Sequence, residues 1–143
     1  MAGEIKRVYG TQKTLQSAGS TVASGSISAA ASSTYATADS ADYPDAVFAL
    51  TIAPASAVTA NTSIDLVLRP LNFDGTSDAS VPTATYLHHY FGSFRPTSSG
   101  SQTLYLEARD VPKEFEAYIY NNATGQATGS WTLKVTPASY VPI

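Results

Sequence analysis

The sequence predicts an all-β protein: an antiparallel β-sandwich of about eight strands, jelly-roll-like in topology, with no long helix. Three observations carry this expectation. Six segments alternate apolar and polar residues with the period of a strand, the intervals between them are rich in Gly, Pro, Asn and Asp, and nowhere do apolar residues recur at helical spacing for long. A strand with one apolar face needs a second sheet to cover it, and repeated short strands of this kind meet that need by packing face to face.

Taken in order, residues 4–16 (EIKRVYGTQKTLQ) hold one or two short strand-like pieces broken at Gly10. Ile5, Arg7 and Tyr9 alternate with Lys6 and Val8, so neither face is cleanly apolar. Such a segment suits an arm that lies along a sheet edge or reaches a neighbour, and equally an ordinary edge strand. The chain therefore divides into residues 1–16, an N-terminal arm or edge strand that the fold does not need, and residues 17–143, a single sandwich domain. From Ser17 to Asp42, 21 of 26 residues are Ser, Ala, Thr or Gly, the composition of a flexible linker. Val22, Ile27 and Tyr35 punctuate that run and favour short, closely packed strands joined by loops, with room for a brief helical turn at Ala29–Ala31.

The next strands are clearer. Residues 46–53 (AVFALTIA) set Val47, Ala49 and Thr51 against Phe48, Leu50 and Ile52, and residues 63–71 (SIDLVLRPL) set Ile64, Leu66 and Leu68 against Asp65, Val67 and Arg69. Pro54 and Pro70 mark strand ends or edge positions. After a loop with the turn signal Asp74-Gly75, residues 85–95 (TYLHHYFGSFR) alternate Leu87, His89 and Phe91 with Tyr86, His88 and Tyr90. Residues 102–108 set Leu104 and Leu106 against Thr103, Tyr105 and Glu107. The chain closes with residues 115–137, which read as one long hairpin. Phe115, Ala117 and Ile119 on one strand and Trp131, Leu133 and Val135 on the other flank a turn region holding Asn121, Asn122, Gly125 and Gly129. Phe115, Trp131 and Leu133 are expected in the core, against the strands around Phe48, Leu66, Leu87 and Leu104.

Composition narrows the function. A chain of 143 residues is large enough to bury roughly 68–70% of the surface its unfolded form exposes, so folding requires neither metal nor disulfide. There is no cysteine, which excludes thiolate catalysis, Cys-ligated zinc and iron–sulfur sites. Charged residues make up 13%, about half of the usual ~25%, so hydroxyls and amides carry the polarity. A net charge of −3, with basic residues scattered apart from Lys6, Arg7 and Lys13, gives no reason to expect a nucleic-acid partner. No apolar run approaches membrane-spanning length and residues 1–10 lack a signal-peptide core, so we expect no membrane partner and synthesis in the cytoplasm without a signal peptide.

No constellation of catalytic residues stands out, and the chain is expected not to be an enzyme and to use no cofactor or metal. His88 and His89 are adjacent, so in a strand they would point to opposite faces, one packed and one at the surface, and could not readily share an ion. Asp39, Asp42 and Asp45 recur every third residue, and Asp74 and Asp78 flank a turn, but neither set fits a twelve-residue calcium loop, so both read as solvated turns. Nine tyrosines call for an account. Tyr86 and Tyr90, with Tyr118 and Tyr120, fall on the less apolar faces of their strands, where they suit a sugar platform, a protein interface or plain cross-strand packing.

Several segments together resemble a known group. TANTSIDLVLRPLNFDGTSD, then HYFGSFRP, then LEARDVPKEFEAYIYNNATGQATGSWTLKVTP are similar to stretches of small virion proteins of tailed bacteriophages, of the capsid decoration or cement type. In those a T-x-D-L-x-L strand precedes a DGT turn, a Y-x-G-S-F strand follows, and an N-x-(T/S)-G-Q-A turn leads to a T-L-K-(V/L)-x-P strand. Asn121, Asn122, Gly125, Gln126 and Ala127 carry the most distinctive part, and the likeness runs from about Ala60 to Pro137. Glu114 and Glu116 depart from it. The resemblance implies a β-sandwich on the capsid surface of a virion, a homo-oligomer that binds the major capsid protein and stabilises the shell. The expected docking residues are Ile5, Lys6, Arg7, Val8 and Tyr9, with Tyr86 and Tyr90 as a further interface. The alternative is a tail or surface-displayed module that recognises a host glycan or receptor through Tyr86 and Tyr90.

Overall fold

A one-faced strand is stable only beside neighbours that share its buried face, and this chain arranges eight strands so that each finds them. The computed structural model describes residues 4–40 and 43–142. The strands are β1 (Ile5–Tyr9), β2 (Lys13–Gly19), β3 (Asp45–Ile52), β4 (Ser63–Pro70), β5 (Tyr90–Phe94), β6 (Gln102–Ala108), β7 (Phe115–Asn122) and β8 (Trp131–Pro142), with one short helix, α1 (Thr37–Ser40). They form two antiparallel sheets. A five-stranded sheet runs β1–β8–β3–β6 with β2 also paired to β8, and a three-stranded sheet runs β5–β4–β7.

The long strand β8 is the spine of the larger sheet. Along one edge β2 pairs with Trp131–Val135 and β1 with Ala138–Pro142, while β3 covers the other edge from Thr132 to Ala138. Pro137 sits inside this strand without breaking it. Its carbonyl accepts from Gly10 N, so its missing N–H faces the same side, at the gap where β1 gives way to β2.

Between the sheets lies one core. Phe48, Leu50 and Ile52 of β3, Leu133 and Val135 of β8, Ile64, Leu66 and Leu68 of β4, and Phe115 and Ile119 of β7 are buried together, as the alternation predicts. Leu104 and Leu106 pack against this core only partly buried, since β6 is an edge strand.

The closing segment differs from the expected hairpin. β7 belongs to the three-stranded sheet and β8 to the five-stranded one, so residues 123–130 cross between layers instead of turning within one. Both strands still present apolar faces to the core, but from opposite sides. Buried side chains hold the crossing: Asn121 donates to the carbonyls of Val22 and Gln126, and accepts from Thr124 Oγ1. Gly129 has φ 68° and a Cβ there would sit 2.7 Å from the Ala53 carbonyl oxygen, so glycine is required twice over.

Past Gly19, the end of β2, the described residues of the Ser- and Ala-rich run form no strand of their own. After β2 it leaves the larger sheet and lies along the edge of β7, with Ser28 N and Ala31 N donating to the carbonyls of Ile119 and Ala117 and Tyr35 exchanging both backbone bonds with Phe115. Small residues let the backbone approach that closely while Val22, Ala31 and Tyr35 plug the core beneath. The helical turn falls at Thr37–Ser40 and not at Ala29–Ala31.

Two further expectations change. The strand read at 85–95 shortens to Tyr90–Phe94; His88 and His89 lie in the preceding turn, both exposed, with His89 at φ 57°, so neither is packed. Leu87 accordingly stays outside the core. β2 runs across residue 16 and places Leu15 in the core, so the part of the N-terminus that lies clear of the core is β1 alone. Residues 1–3 of the arm lie outside the described residues.

Candidate functional site

Side chains that alternate away from the core define the outer face of the five-stranded sheet. Arg7 pairs with Tyr140 and Tyr9 with Ala138, which puts Arg7, Tyr9 and Tyr140 on the outward side, level with Glu107 and Arg109 at the end of β6. The Arg7 guanidinium carbon lies 5.1 Å from the Tyr9 ring centre and 5.3 Å from that of Tyr140, and Arg109 approaches Tyr140 at 4.8 Å. These are cation–π distances. Arg7 Nη1 donates to Glu107 Oε1, and the Tyr140 hydroxyl donates to Glu107 Oε2 at 3.3 Å.

The charges reinforce one another. Burial works against the Arg7 charge, but the hydrogen bond and charge of Glu107 more than offset it, so Arg7 titrates above its usual range. Glu107 is held below the ordinary carboxylate range, first by its hydrogen bond from Arg7. Arg7 Nε is buried and, among the described residues, has no acceptor. The result is a fixed rack on which Tyr9, 54% exposed, and Ile5, 66% exposed, stand out toward solvent. Lys6 and Val8 alternate to the other side of β1. β1 pairs with β8 alone, so its second edge carries backbone groups unpaired by any described strand.

Of the seven site residues expected from sequence, five therefore sit together on β1. Tyr86 and Tyr90 do not join them. They lie at the β5 edge of the smaller sheet, which packs beside β6, on the opposite flank of the sandwich from β1. There the Tyr86 ring stacks on His88 with centroids 6.0 Å apart, and the Tyr90 hydroxyl is 2.5 Å from Ser93 Oγ. Ser93 in turn donates to Asp65, a buried carboxylate that also accepts from Ser63 and Asn122. Tyr118 is buried, and Tyr120 is partly buried beside Asp65 in register.

Sequence reasoning missed Arg109 and Tyr140 as site residues. The signal for Tyr140 was the alternation Ala138–Tyr140 continuing that of Thr132–Thr136, hidden by the proline between them. The aspartates have structural work. Asp39 binds Lys13 Nζ at 2.7 Å, Asp45 accepts from Asp110 N, Asp74 accepts from the Thr76 and Ser77 amides, and Asp78 accepts from Asn72 N. Asp42 lies outside the described residues. No group of three or more His, Asp and Glu gathers as metal ligands among the described residues, and no described helix is long and apolar enough to cross a membrane.

Compared with protein-family models, with curated proteins and with solved structures, the chain matches none of them.

Proposed function

We propose that the chain is a structural virion protein, a capsid decoration protein that binds the outer surface of a phage capsid through the β1 end of its larger sheet and stabilises the shell. The observation that carries this reading is the rack of Arg7, Tyr9, Glu107, Arg109 and Tyr140 beside the open edge of β1. Exposed tyrosine and arginine held in fixed geometry are what protein interfaces concentrate, because they offer large contact area at low entropic cost. The open edge offers backbone hydrogen bonds to an incoming strand of the major capsid protein. A sparsely charged sandwich tolerates changing salt, since packed and hydrogen-bonded contacts are screened less than exposed ion pairs. Binding only the assembled lattice then stabilises it by mass action. The role needs no catalytic group or cofactor, and a homo-oligomer would multiply weak contacts.

Copy number in purified virions tests this directly. Decoration predicts a band comparable to the major capsid protein on a stained gel. A few copies per particle would favour the tail module with Tyr86 and Tyr90 as its ligand face, and absence from particles would overturn both. Arg7→Ala with Tyr9→Ala is expected to abolish rebinding to stripped capsids; wild-type occupancy by that variant would refute docking through β1.

A further inference from the structure

A second feature lies on the same outer face, toward the other end of its strands. Two adjacent cross-strand rows meet there: Thr103–Thr51–Thr132, and Tyr105–Ala49–Lys134. Ala49 is the small member between two long ones, so the sheet carries a trough with Tyr105 as one wall and Lys134 as the other. Neighbouring strands are about 4.8 Å apart, which sets the walls roughly 10 Å from each other. Gln12 closes the side nearest β2, and the whole depression measures about 410 Å³, within the roughly 300–1,000 Å³ of small-molecule sites.

Its chemistry is selective. Tyr105 is 73% exposed, the most exposed large apolar side chain described, and its ring is free to serve as a stacking surface. The Thr51 and Thr103 hydroxyls bond each other at 2.9 Å and each keeps further hydrogen-bonding capacity, while Thr132 makes no side-chain hydrogen bond among the described residues. Lys134 makes no ion pair among them. The backbone beneath is already paired on both sides of β3, so an added peptide strand has nothing to bond. One lysine is too little for a nucleic-acid backbone, and the hydroxyl floor suits no purely apolar ligand.

We infer that this trough is a binding site for an acidic saccharide. A sugar ring stacks on Tyr105, its hydroxyls exchange hydrogen bonds with Thr51, Thr103, Thr132 and Gln12, and its carboxylate meets Lys134. The site does not rest on the capsid reading. The trough adjoins the rack at Glu107, two residues from Tyr105 on β6, while Lys134 and Tyr140 are six residues apart on β8, about 20 Å.

Affinity electrophoresis of the full chain through gels containing polygalacturonate, alginate or neutral dextran tests the inference. Retardation in at least one uronate gel beyond that in dextran is expected. Tyr105→Ala should weaken it at least about tenfold, and Lys134→Gln should remove the preference for the uronate polymer over dextran. Tyr86→Ala, at a position before β5 of the smaller sheet and outside the trough, should migrate as wild type. Equal mobility of the wild-type chain in all three gels, or wild-type retardation of Tyr105→Ala, would overturn the site whatever the copy number in virions. Circular dichroism of each variant separates loss of binding from loss of fold.

Discussion

Thr124 Oγ1 donates to Asn121 Oδ1 at 2.6 Å, and this bond fixes the point where the chain passes from one sheet to the other. The Asn121 amide meanwhile donates to the Val22 and Gln126 carbonyls at 3.0 and 2.7 Å. Both ends of a fully buried amide are thus satisfied. Asn121→Ala removes three buried hydrogen bonds, at a cost of about 1–3 kcal/mol, softened because the Val22 carbonyl keeps Thr128 N and the Thr124 hydroxyl keeps the Gln126 carbonyl. A urea midpoint that implies a loss under about 0.5 kcal/mol would show that the crossing is held by something else.

Tyr35 presents the opposite case. Its ring stacks on Phe115 with centroids 4.6 Å apart, but its hydroxyl is buried with no partner among the described residues. Burial, aided by the Asp39 charge, pushes that hydroxyl up to about 12. Tyr35→Phe keeps the stack and removes the stranded group, so it should leave stability unchanged or raise it by up to about 1 kcal/mol. Tyr35→Ala should cost about 3–5 kcal/mol. A clear loss in the Phe variant would mean that the hydroxyl is hydrogen-bonded, for instance to a buried water.

These two residues show what the sequence made legible. The alternation around Phe48, Leu66 and Ile119 fixed which side chains face the core, because that pattern depends only on the two-residue period. It does not encode which sheet a strand joins. Residues 115–137 look like a hairpin for that reason: Asn121 and Thr124 resemble polar turn residues in sequence, and only their burial reveals a crossing. The Ser- and Ala-rich run was equally opaque, since its order comes from β7 and not from its own propensity. At the candidate site, β1 was legible as an unusual edge segment. Tyr140 meets Arg7, and Arg109 meets Tyr140, only through pairings distant in sequence.

Acid should weaken the fold in a defined window. Asp39 is held below its ordinary value: burial opposes this, but the hydrogen bond from Lys13 outweighs it. Glu107 and Glu114 are likewise lowered, and the Thr76 and Ser77 amides hold Asp74 down to about 2. For groups lowered in the folded state, the stabilisation is complete above the unfolded values and disappears as pH falls through the folded ones. Urea midpoints should thus begin to drop below about pH 4.5 and continue to drop toward pH 2. Asp74→Asn should flatten the lowest part of that curve. An unchanged wild-type midpoint from pH 6 to pH 2.5 would contradict the scheme.

Truncation separates the docking strand from the fold. Residues 2–16 look like one arm in sequence, yet Leu15 is 1% exposed within the core and Lys13 anchors Asp39. Removing residues 2–16 takes out a buried leucine and most of β2, which should cost at least about 3 kcal/mol and leave the β8 edge bare. Removing residues 2–9 takes only β1, whose side chains are exposed or half-buried. That shorter truncation should keep a cooperative urea transition and the far-ultraviolet signature of the sandwich while losing capsid rebinding. Loss of folding in the shorter form would make β1 a structural strand in its own right, and capsid rebinding by a folded shorter form would move the docking surface elsewhere.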